Sequence, residues 1–493
     1  MRAIDVTLES PDFACDSLEI RKVSGREAIS QSFEFTIDVV CNDPDNFTFD
    51  LLGKRASLVF QVEGVTVRTV AGIFSHTEES FSTKRGVSVA VYRLVLVPEV
   101  WRLTLVDVQQ VFLETSIPDI VQQTLKDNAY LDFEMRLTGT YTPKPMIVQY
   151  RETDRALVNR LTENHGISYY FSNVDGVEKL VFTDNPTGFS PVEGHPAVAV
   201  RMGDDKSDVY ELQHTRIAVP KTWKVEDYNH RLPLLDIAGT FTESQGLSGE
   251  VVEFGPHVLT PQECQALAKR RAEARVAQSD FFRGASDQCW FQAGALVKFL
   301  GESRVPESTP MLLVEVEHEW TRPTSADDRH AGETSYRNTF RAVDGQRTYR
   351  PPLVTPRPRI DGVLTATVEP LQPPASSPTT RDATIDANGD YTIRFHFDPA
   401  PKFPAPGSRV RSSLPVRMMQ ALAGPNYGIH FPLRGGIEVF VLFIDGDPDR
   451  PIIAAAVPNA ITTSPSTQSN ALQSVMRTQS GITVTFKDDG GSS

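Results

Sequence analysis

Alternation of apolar and polar residues with a period of two constrains this fold more than any other feature of the sequence. Such alternation is typical of a strand with one buried face, because successive side chains of a strand point to opposite sides. Turn sequences such as Val62-Glu63-Gly64 and Asn42-Asp43-Pro44-Asp45 separate short strands in the first part of the chain. The pattern therefore predicts a mainly β chain with a barrel or a sandwich. The clearest apolar positions are Phe33, Phe35, Ile37 and Val39; Tyr391, Ile393, Phe395 and Phe397; Ile437, Val439, Val441 and Phe443; and Ile482, Val484 and Phe486.

Three segments carry helical rather than strand patterns. The first follows Ser116, a suitable N-cap, and the second follows Thr153 and ends at Gly166, a suitable C-cap. The third is predicted over about residues 262–277, because Thr260-Pro261 supplies a cap followed by proline at the first helical position. The small, apolar face of this third helix, like the strand over residues 391–397, belongs either to a core or to a contact with another chain. The face consists of Ala266, Leu267, Arg270, Ala274 and Ala277.

Composition argues against two classes of partner. The chain has 493 residues, enough for about three domains. Its formal net charge of −14 argues against nucleic acid, because phosphate binding requires clustered Lys and Arg. The longest apolar runs, such as residues 439–444, are far shorter than the roughly 20 residues that a membrane helix needs.

The cysteines and the N-terminus indicate the compartment. The four cysteines are far apart and include no CxxC pair, so we expect neither a zinc site nor a disulfide framework. We interpret them as reduced and partly buried in a cytosolic chain. The first residues lack the apolar core of a signal peptide, so export would not use a general signal. The cysteines are Cys15, Cys41, Cys264 and Cys289.

Proline and Ser/Thr-rich stretches divide the second half of the chain. Residues 349–359 are dense in proline and predict an extended connector. A compact β domain is expected over about residues 360–460, with a low-complexity loop at 370–380 and a hairpin at Asn388-Gly389, a pair that favours the type I′ turn. After a Ser/Thr-rich stretch, residues 482–486 predict one amphipathic strand. A lone strand cannot bury its apolar face, so we expect partner strands from other copies of the chain.

Three blocks of sequence follow one another along the chain: Gln149-Tyr150-Arg151-Glu152-Thr153 to Tyr169-Tyr170-Phe171; Tyr336-Arg337-Asn338 to Tyr349-Arg350-Pro351; and Tyr427-Gly428 to Gly446-Asp447-Pro448-Asp449-Arg450-Pro451. They are similar, in order, to the hub signature, the exit from hub to needle, and the needle-barrel signature of VgrG, the spike family of type VI secretion systems and a relative of contractile phage tail proteins. Thr153 stands where the family usually has serine, and Leu414 where it often has tryptophan. Both differences are conservative in role.

The resemblance implies a mainly β fold with minor α content. It implies two barrel-like hub domains with helical insertions, an OB-type β-barrel and the start of an intertwined trimeric β-prism. Met476-Arg477-Thr478 and Ser480-Gly481 resemble the family's entrance to the prism. Family members normally continue into a long prism, so we expect a short spike or a shortened chain. The implied domains are a phage-hub-like base at 1–348 with an α/β insertion at about 101–215, the connector at 349–359, an OB-type needle base at 360–460, and a linker with the prism start at 461–493.

The resemblance also implies a structural function. We expect a homotrimer that caps an Hcp-like tube, carries a PAAR-type tip protein and effector or adaptor proteins, and contacts baseplate proteins. The protein would assemble in the cytoplasm and then be translocated into a target cell, touching the target membrane mechanically. No cofactor and no nucleic acid is expected. The hub-spike of a tailed phage or of an extracellular contractile particle is an alternative, as is the core of a spike whose effector enzyme domain is absent.

Chemical motifs in the sequence favour no enzyme. Asp445, Asp447 and Asp449 have the spacing that begins a calcium loop, but Arg450 stands where that loop needs glycine, so a capped turn is the better interpretation. His318-Glu319 begins a zinc-protease motif without its second histidine, and a partly exposed strand histidine is expected instead. Gly246-Leu247-Ser248-Gly249 does not fit a nucleophile elbow. We therefore predict no catalytic, cofactor-binding or metal-binding residue.

Overall fold

The computed structural model describes residues 4–41, 50–84, 87–174, 176–201, 206–301, 305–322, 334–371, 381–398 and 413–487. Strands dominate these residues, and the α-helices found in them are α1 (Ile117–Asp127), α2 (Asp154–His165) and α3 (Pro261–Ala277). The mainly β fold with minor α content is therefore confirmed. Single turns of 3₁₀-helix occupy Pro186–Gly188, Ile444–Gly446 and Gln468–Asn470, and a longer one occupies Glu99–Leu105.

The strands follow one another along the whole chain. Up to residue 153 they are β1 (Ile4–Glu9), β2 (Leu18–Ala28), β3 (Glu34–Cys41), β4 (Arg55–Val62), β5 (Val65–Lys84), β6 (Val87–Val97), β7 (Asp107–Thr115), β8 (Phe133–Arg136) and β9 (Lys144–Thr153). Up to residue 344 they are β10 (Ser168–Val174), β11 (Val177–Thr183), β12 (Ser190–Pro191), β13 (Ala197–Val200), β14 (Val209–Arg216), β15 (Thr222–Asp227), β16 (Ile237–Thr242), β17 (Glu250–Phe254), β18 (Asp280–Ser286), β19 (Ala295–Gly301), β20 (Met311–Thr321) and β21 (Ser335–Asp344). The remaining strands are β22 (Leu364–Val368), β23 (Arg381–Asp382), β24 (Ile393–Phe395), β25 (Ala423–Gly424), β26 (Tyr427–Gly428), β27 (Arg434–Gly435), β28 (Glu438–Phe443), β29 (Pro451–Val457), β30 (Gln473–Arg477) and β31 (Thr483–Lys487).

The chain forms two compact units. The first consists of Met1–Val106, Ile117–Tyr141 and Thr153–Pro356, and the second of Asp107–Ser116, Thr142–Glu152 and Arg357–Ser493. The second unit thus includes β7 and most of β9, which pair with each other although they precede the connector in the chain. The domain boundaries given above stay a prediction.

A sheet of 13 strands, in the order β1-β4-β5-β6-β3-β2-β20-β21-β18-β14-β13-β19-β12, forms the framework of the first unit. Its second half closes on itself, because β19 pairs with β20 as well as with β13. The predicted alternation in β3 is confirmed, since Phe35, Ile37 and Val39 are fully buried. The turn between β4 and β5 is also confirmed, with positive φ at Glu63 and Gly64. The Asn42–Asp45 turn lies outside the described residues.

Local capping chemistry fixes the helices where the sequence places them. The Thr153 hydroxyl accepts a hydrogen bond from the Ala156 amide at the start of α2, and Gly166 ends the helix with a φ of 68°. Thr260 caps α3 by accepting from the Glu263 amide. All three caps were predicted from the residue types alone.

The face of α3 belongs to a core, which settles the choice that the sequence left open. Leu267 and Ala274 are buried as predicted. Ala266 and Arg270, which were also predicted on this face, are half-exposed. Cys264 and Ala268 are buried instead. The helix covers a three-stranded sheet, β16-β15-β17, which the sequence did not predict. Gly239 allows the close approach, because a Cβ there would lie 2.6 Å from the Cys264 carbonyl carbon.

The connector between the units is extended, as predicted. Residues 350–359 contain neither helix nor strand. Glu163 on α2 accepts hydrogen bonds from the amides of Val354 and Thr355, both at 2.9 Å. Arg350 donates to the Gly166 carbonyl oxygen at 2.6 Å. The first two sequence blocks are therefore in contact within the first unit.

The second unit contains a four-stranded sheet, β24-β22-β28-β29, with a core that includes Val439, Val441 and Phe443. The predicted alternation over β28 is confirmed. The stretch from Tyr427 to Leu433 is not a regular strand, because it holds only the two-residue strand β26 and coil. The OB-type classification of this unit stays a prediction.

Two further details of the second unit differ from expectation. Of the pair Asn388-Gly389, only Gly389 has positive φ, so the turn is not type I′, which requires positive φ at both residues. The strand over residues 391–397 is a core element, but β24 is short and buried on both faces. Arg394, which lies between the apolar positions Ile393 and Phe395, is also buried because its Nε donates to Glu369 Oε1 at 2.6 Å. The low-complexity loop lies mostly outside the described residues.

A candidate assembly surface at the last hairpin

The last two strands, β30 and β31, form an antiparallel hairpin. Cross-strand pairs run from Gln473 and Lys487 to Arg477 and Thr483. Thr478 fixes the turn, since its backbone amide donates to the Ile482 carbonyl oxygen at 2.9 Å and its hydroxyl accepts from the Ile482 amide at 3.1 Å. The prediction of a lone terminal strand was therefore wrong, because β31 has one partner within its own chain. The sequence of β30, with Val475 and Met476 adjacent, does not show a clear alternation that could have revealed it.

The two faces of this hairpin differ sharply in polarity. Ser474 lies opposite Phe486, and Met476 lies opposite Val484, so these side chains share one face with their neighbours Leu472 and Ile482. The opposite face carries Gln473, Val475, Arg477, Thr483, Thr485 and Lys487. One side of the hairpin is thus apolar and the other almost entirely polar.

The apolar face is uncovered. Its five large side chains are between 46% and 69% exposed, and they are Leu472, Met476, Ile482, Val484 and Phe486. Burying a side chain of this size is worth about 1.5–3 kcal/mol, so covering the exposed halves would add roughly 4–7 kcal/mol per chain. A two-stranded hairpin is at best marginally stable alone in water. A hairpin with this face needs a cover, and the described residues of the chain do not supply it.

The Asp445–Asp449 motif forms a capped turn rather than a cation loop. Asp447 accepts from the Asp449 amide at 3.0 Å, and Asp449 Oδ1 accepts from the Val148 amide at 2.6 Å. Asp445 adopts a φ of 55° and Gly446 a φ of 71°. Two of the three carboxylates therefore bind backbone amides of the second unit, while Asp445 Oδ2 lies 3.8 Å from Arg450 Nη1, which fits the interpretation drawn from the sequence.

His318, which begins the incomplete zinc motif, lies in a buried polar cluster of the first unit. It is only 4% exposed, so the expectation of a partly exposed histidine was wrong. Its Nε2 lies 2.6 Å from Glu27 Oε1, and its Nδ1 lies 2.7 Å from the Tyr336 hydroxyl. Arg68 donates to the same Glu27 oxygen at 2.6 Å. These residues come from β20, β2, β21 and β5, so the cluster connects four strands of the large sheet.

Electrostatics in this cluster favour an ionised pair of Glu27 and Arg68 and a neutral imidazole at His318. Burial would raise the pKa of Glu27, but Arg68 and His318 outweigh it and hold that pKa below its ordinary value. Burial, together with the positive charge of Arg68, lowers the pKa of His318. A neutral His318 with its proton on Nε2 can donate to Glu27 and accept from Tyr336. Arg68 also donates to the Phe291 carbonyl oxygen at 2.6 Å, so the cluster is best explained as a structural cross-link.

Metal ligands, thiols and membrane-spanning helices are further features that could carry a function. In the ranges given above, no group of three or more His, Cys, Asp or Glu side chains is arranged to hold a metal ion. Cys41, Cys264 and Cys289 are buried, Cys15 is half-buried, and none forms a disulfide, as the sequence predicts. Among the helices that the structure describes, none is long and apolar enough to cross a membrane. The predicted lack of catalytic and metal residues stays a prediction.

Proteins with similar sequences are spike proteins. The chain is 27% identical over 485 residues to the type VI secretion system spike protein VgrG1b of Pseudomonas aeruginosa, covering 96% of this chain and 63% of that protein. It is 28% identical to VgrG1c of the same organism, covering 96% of this chain and 64% of that protein. The chain thus spans a little under two thirds of the length of these relatives.

Two solved structures have the same fold. The Escherichia coli c3393 protein matches with a TM-score of 0.64 and 21% identity, over 92% of this chain and 99% of that one. That protein is described as a component of the type VI secretion system with structural similarity to the T4 bacteriophage tail proteins gp27 and gp5. A chain of a lidless PdpA-VgrG complex matches with a TM-score of 0.61 and 12% identity, over 99% of this chain and 94% of that one.

The family match lies mostly in the first unit and includes the two early segments of the second. The sequence profile for the phage tail baseplate hub (GPD) matches residues 26–324. This segment contains β3 to β20, the three helices and most of the buried polar cluster. Because the match covers more than half of the chain, the protein belongs to the phage tail baseplate hub (GPD) family.

Proposed function

We propose that this protein is the structural hub and spike subunit of a contractile injection machine of the type VI secretion class, and that it works as a homotrimer. The first unit would form the hub, and the second unit would carry the base of the spike. The protein would transmit mechanical force rather than catalyse a reaction. Its partners would be an Hcp-like tube protein, baseplate proteins, a PAAR-type tip protein and effector or adaptor proteins.

The observation that carries the trimer is the uncovered apolar face of the last hairpin. Closed rotational symmetry lets three identical hairpins cover one another's apolar faces and sheet edges. A closed arrangement leaves no free edge strand to fray under load. The hairpin therefore has the property that a spike requires, namely a strand pair that becomes stable only inside an assembly.

The relatives support the spike assignment and the absence of an enzyme. The first proteins matched are named as spike proteins. The actin cross-linking toxin VgrG1 of Vibrio cholerae matches over 100% of this chain but only 45% of its own length. The segment shared with this chain therefore leaves more than half of that toxin outside the match. We infer that the shared segment is the hub-spike part, and that assembly occurs in the cytoplasm before translocation into a target cell.

Light scattering coupled to size exclusion tests the proposal. The proposal predicts three times the mass of one chain, which is 54.6 kDa, and threefold particles in negative-stain electron microscopy. A particle of one chain at micromolar concentration, without threefold averages, would contradict it. Incubation of the same sample with peptidoglycan, followed by analysis of soluble fragments, checks the non-enzymatic part, since released muropeptides would count against it.

The hub of a tailed phage or of an extracellular contractile particle is the second candidate. The similarity of the matched Escherichia coli protein to T4 tail proteins favours it. Both candidates predict the same trimer. Binding of the purified trimer to a hexameric Hcp ring, but not to a phage tail tube protein, would support the secretion machine.

A further inference from the structure

A second uncovered apolar surface lies in the second unit, on residues 419–431, which we term the arm. The arm leaves the core where the Met419 amide donates to the Ile453 carbonyl oxygen at 2.8 Å. It returns at Leu433, whose amide donates to the Tyr391 hydroxyl at 3.1 Å. At its tip, Gly424 pairs with Tyr427 across a turn formed by Pro425 and Asn426. Asn426 adopts a φ of 62°, as the third position of a type II turn requires.

Backbone contacts hold the arm in a defined shape. The Ile429 amide donates to the Leu422 carbonyl oxygen at 3.0 Å, which joins its two sides. Gly424 lies under the Tyr427 ring, so closely that a Cβ there would lie 2.6 Å from the Tyr427 hydroxyl oxygen. The arm is therefore a narrow ribbon that presents its side chains outward.

The side chains that the arm presents are large and apolar. Five of them are 50% to 64% exposed, and these are Met419, Leu422, Tyr427, Ile429 and Phe431. Residues 419–431 contain no Asp, Glu, Lys or Arg, although charged residues make up 23% of the chain. Depletion of charge with enrichment of aromatic residues and Met is typical of the core of a protein interface, not of a surface that stays in water.

We propose that the arm packs against a second copy of this chain, an inference that rests on the homotrimer proposed above. A fully buried aliphatic side chain corresponds to roughly 60–120 Å² and an aromatic one to roughly 150–250 Å². By this measure the last hairpin exposes roughly 300 Å² of apolar side chain, and the arm roughly 400 Å². A stable interface buries about 800 Å² per partner. The hairpin alone falls well short of that area, and the arm more than doubles the apolar area available for contact between copies.

The arm extends the assembly surface from the end of the chain to the β-domain of the second unit. Three copies would then be held together at two places of each chain, one before β27 and one after β29. The Tyr427 and Phe431 rings are the anchors of the arm, because aromatic side chains dominate the binding energy of most interfaces.

Two measurements test the inference. In the first, Tyr427→Asp and Phe431→Asp are compared with wild type by sedimentation across a dilution series. The control is Leu234→Asp, because Leu234 is 99% exposed in the first unit, outside both surfaces. We expect each arm variant to raise the concentration at which the trimer dissociates by at least tenfold, and the control to leave it unchanged.

In the second measurement, a photoreactive benzoylphenylalanine replaces Tyr427, and irradiation should join two copies of the chain. The same photoreactive residue in place of Leu234 should not join them.

The outcomes separate this inference from the trimer itself. A wild-type trimer that the arm variants leave intact, with no cross-link between copies from position 427, would overturn the arm contact and leave the trimer standing. A trimer that dissociates on arm substitution, with cross-links between copies, would support both. A wild-type protein that is monomeric at every concentration would overturn the proposed assembly, and the arm contact with it.

Discussion

Glu178 offers a sharp test of how burial controls charge in the first unit. Its carboxyl lies beneath the 3₁₀ turn Glu99–Leu105, where Oε2 accepts from the Glu99 amide at 2.9 Å and Oε1 accepts from the Tyr130 hydroxyl at 2.9 Å. No cation pairs with it among the contacts that the structure describes. Burial therefore dominates, and despite these two hydrogen bonds it raises the pKa of Glu178 from the ordinary 4.5 to about 7.

The direction in which pH changes the free energy of unfolding follows from the pKa of Glu178 in the unfolded and in the folded chain. Below pH 4.5 the carboxyl is protonated in both the folded and the unfolded chain. As the pH rises towards 7, the unfolded chain loses the proton first, so the free energy of unfolding falls until the folded carboxyl has also ionised. The difference corresponds to roughly 3 kcal/mol between the acidic and the alkaline limit. Glu178→Gln removes this titration while retaining a neutral group of the same shape.

Urea unfolding followed by tryptophan fluorescence measures the effect. All four tryptophans, Trp101, Trp223, Trp290 and Trp320, belong to the first unit, so the signal reports on that unit alone. We expect Glu178→Gln to match wild type near pH 4 and to exceed its free energy of unfolding by about 3 kcal/mol near pH 8. Parallel pH profiles for the two proteins would refute the assignment of a raised pKa to Glu178.

Three further substitutions test the packing. Gly239→Val should lower the free energy of unfolding, measured in urea, by about 1–3 kcal/mol, because its side chain overpacks against α3. Unchanged stability would contradict the close approach of α3 to Gly239. Arg68→Met should lower the free energy of unfolding by about 3–5 kcal/mol, because it leaves Glu27 buried without its cation. The control Arg93→Met breaks the exposed pair with Asp38 and should lower it by under about 1 kcal/mol. Equal losses for the two variants would contradict the argument. Asp449→Ala should accelerate hydrogen exchange of the Val148 amide at least tenfold, and unaltered exchange would exclude that anchor.

Features that depend on neighbouring residues could be predicted from the sequence. The caps at Thr153, Gly166 and Thr260 and the alternation in β3 and β28 involve residues a few positions apart, where the chemistry of each residue type decides the outcome. For the same reason the connector could be predicted from its prolines. The exposure of the apolar side chains at Ile482, Val484 and Phe486 was also predicted, because a strand cannot cover its own apolar face.

Features that depend on distant residues could not be predicted. His318 meets Glu27, a residue 291 positions away, and Arg394 is buried because Glu369 neutralises it. The sheet beneath α3 was missed because its strands mix charged and apolar residues, and Lys224 and Glu226 pair with each other on its outer face. The arm was not predicted as a separate surface, because the exposure of its apolar side chains depends on which parts of the chain pack against it.

The central claim is that the apolar side of the last hairpin is covered by other copies of the chain. The most direct measurement compares Val484→Asp and Phe486→Asp with Thr483→Asp and Thr485→Asp, which place the same charge on the polar side of the same strand. Sedimentation should show that the first pair breaks the trimer into single chains and that the second pair leaves it whole. If all four variants had the same number of chains per particle, the apolar and polar sides of the hairpin would contribute equally to assembly, and the claim would be contradicted.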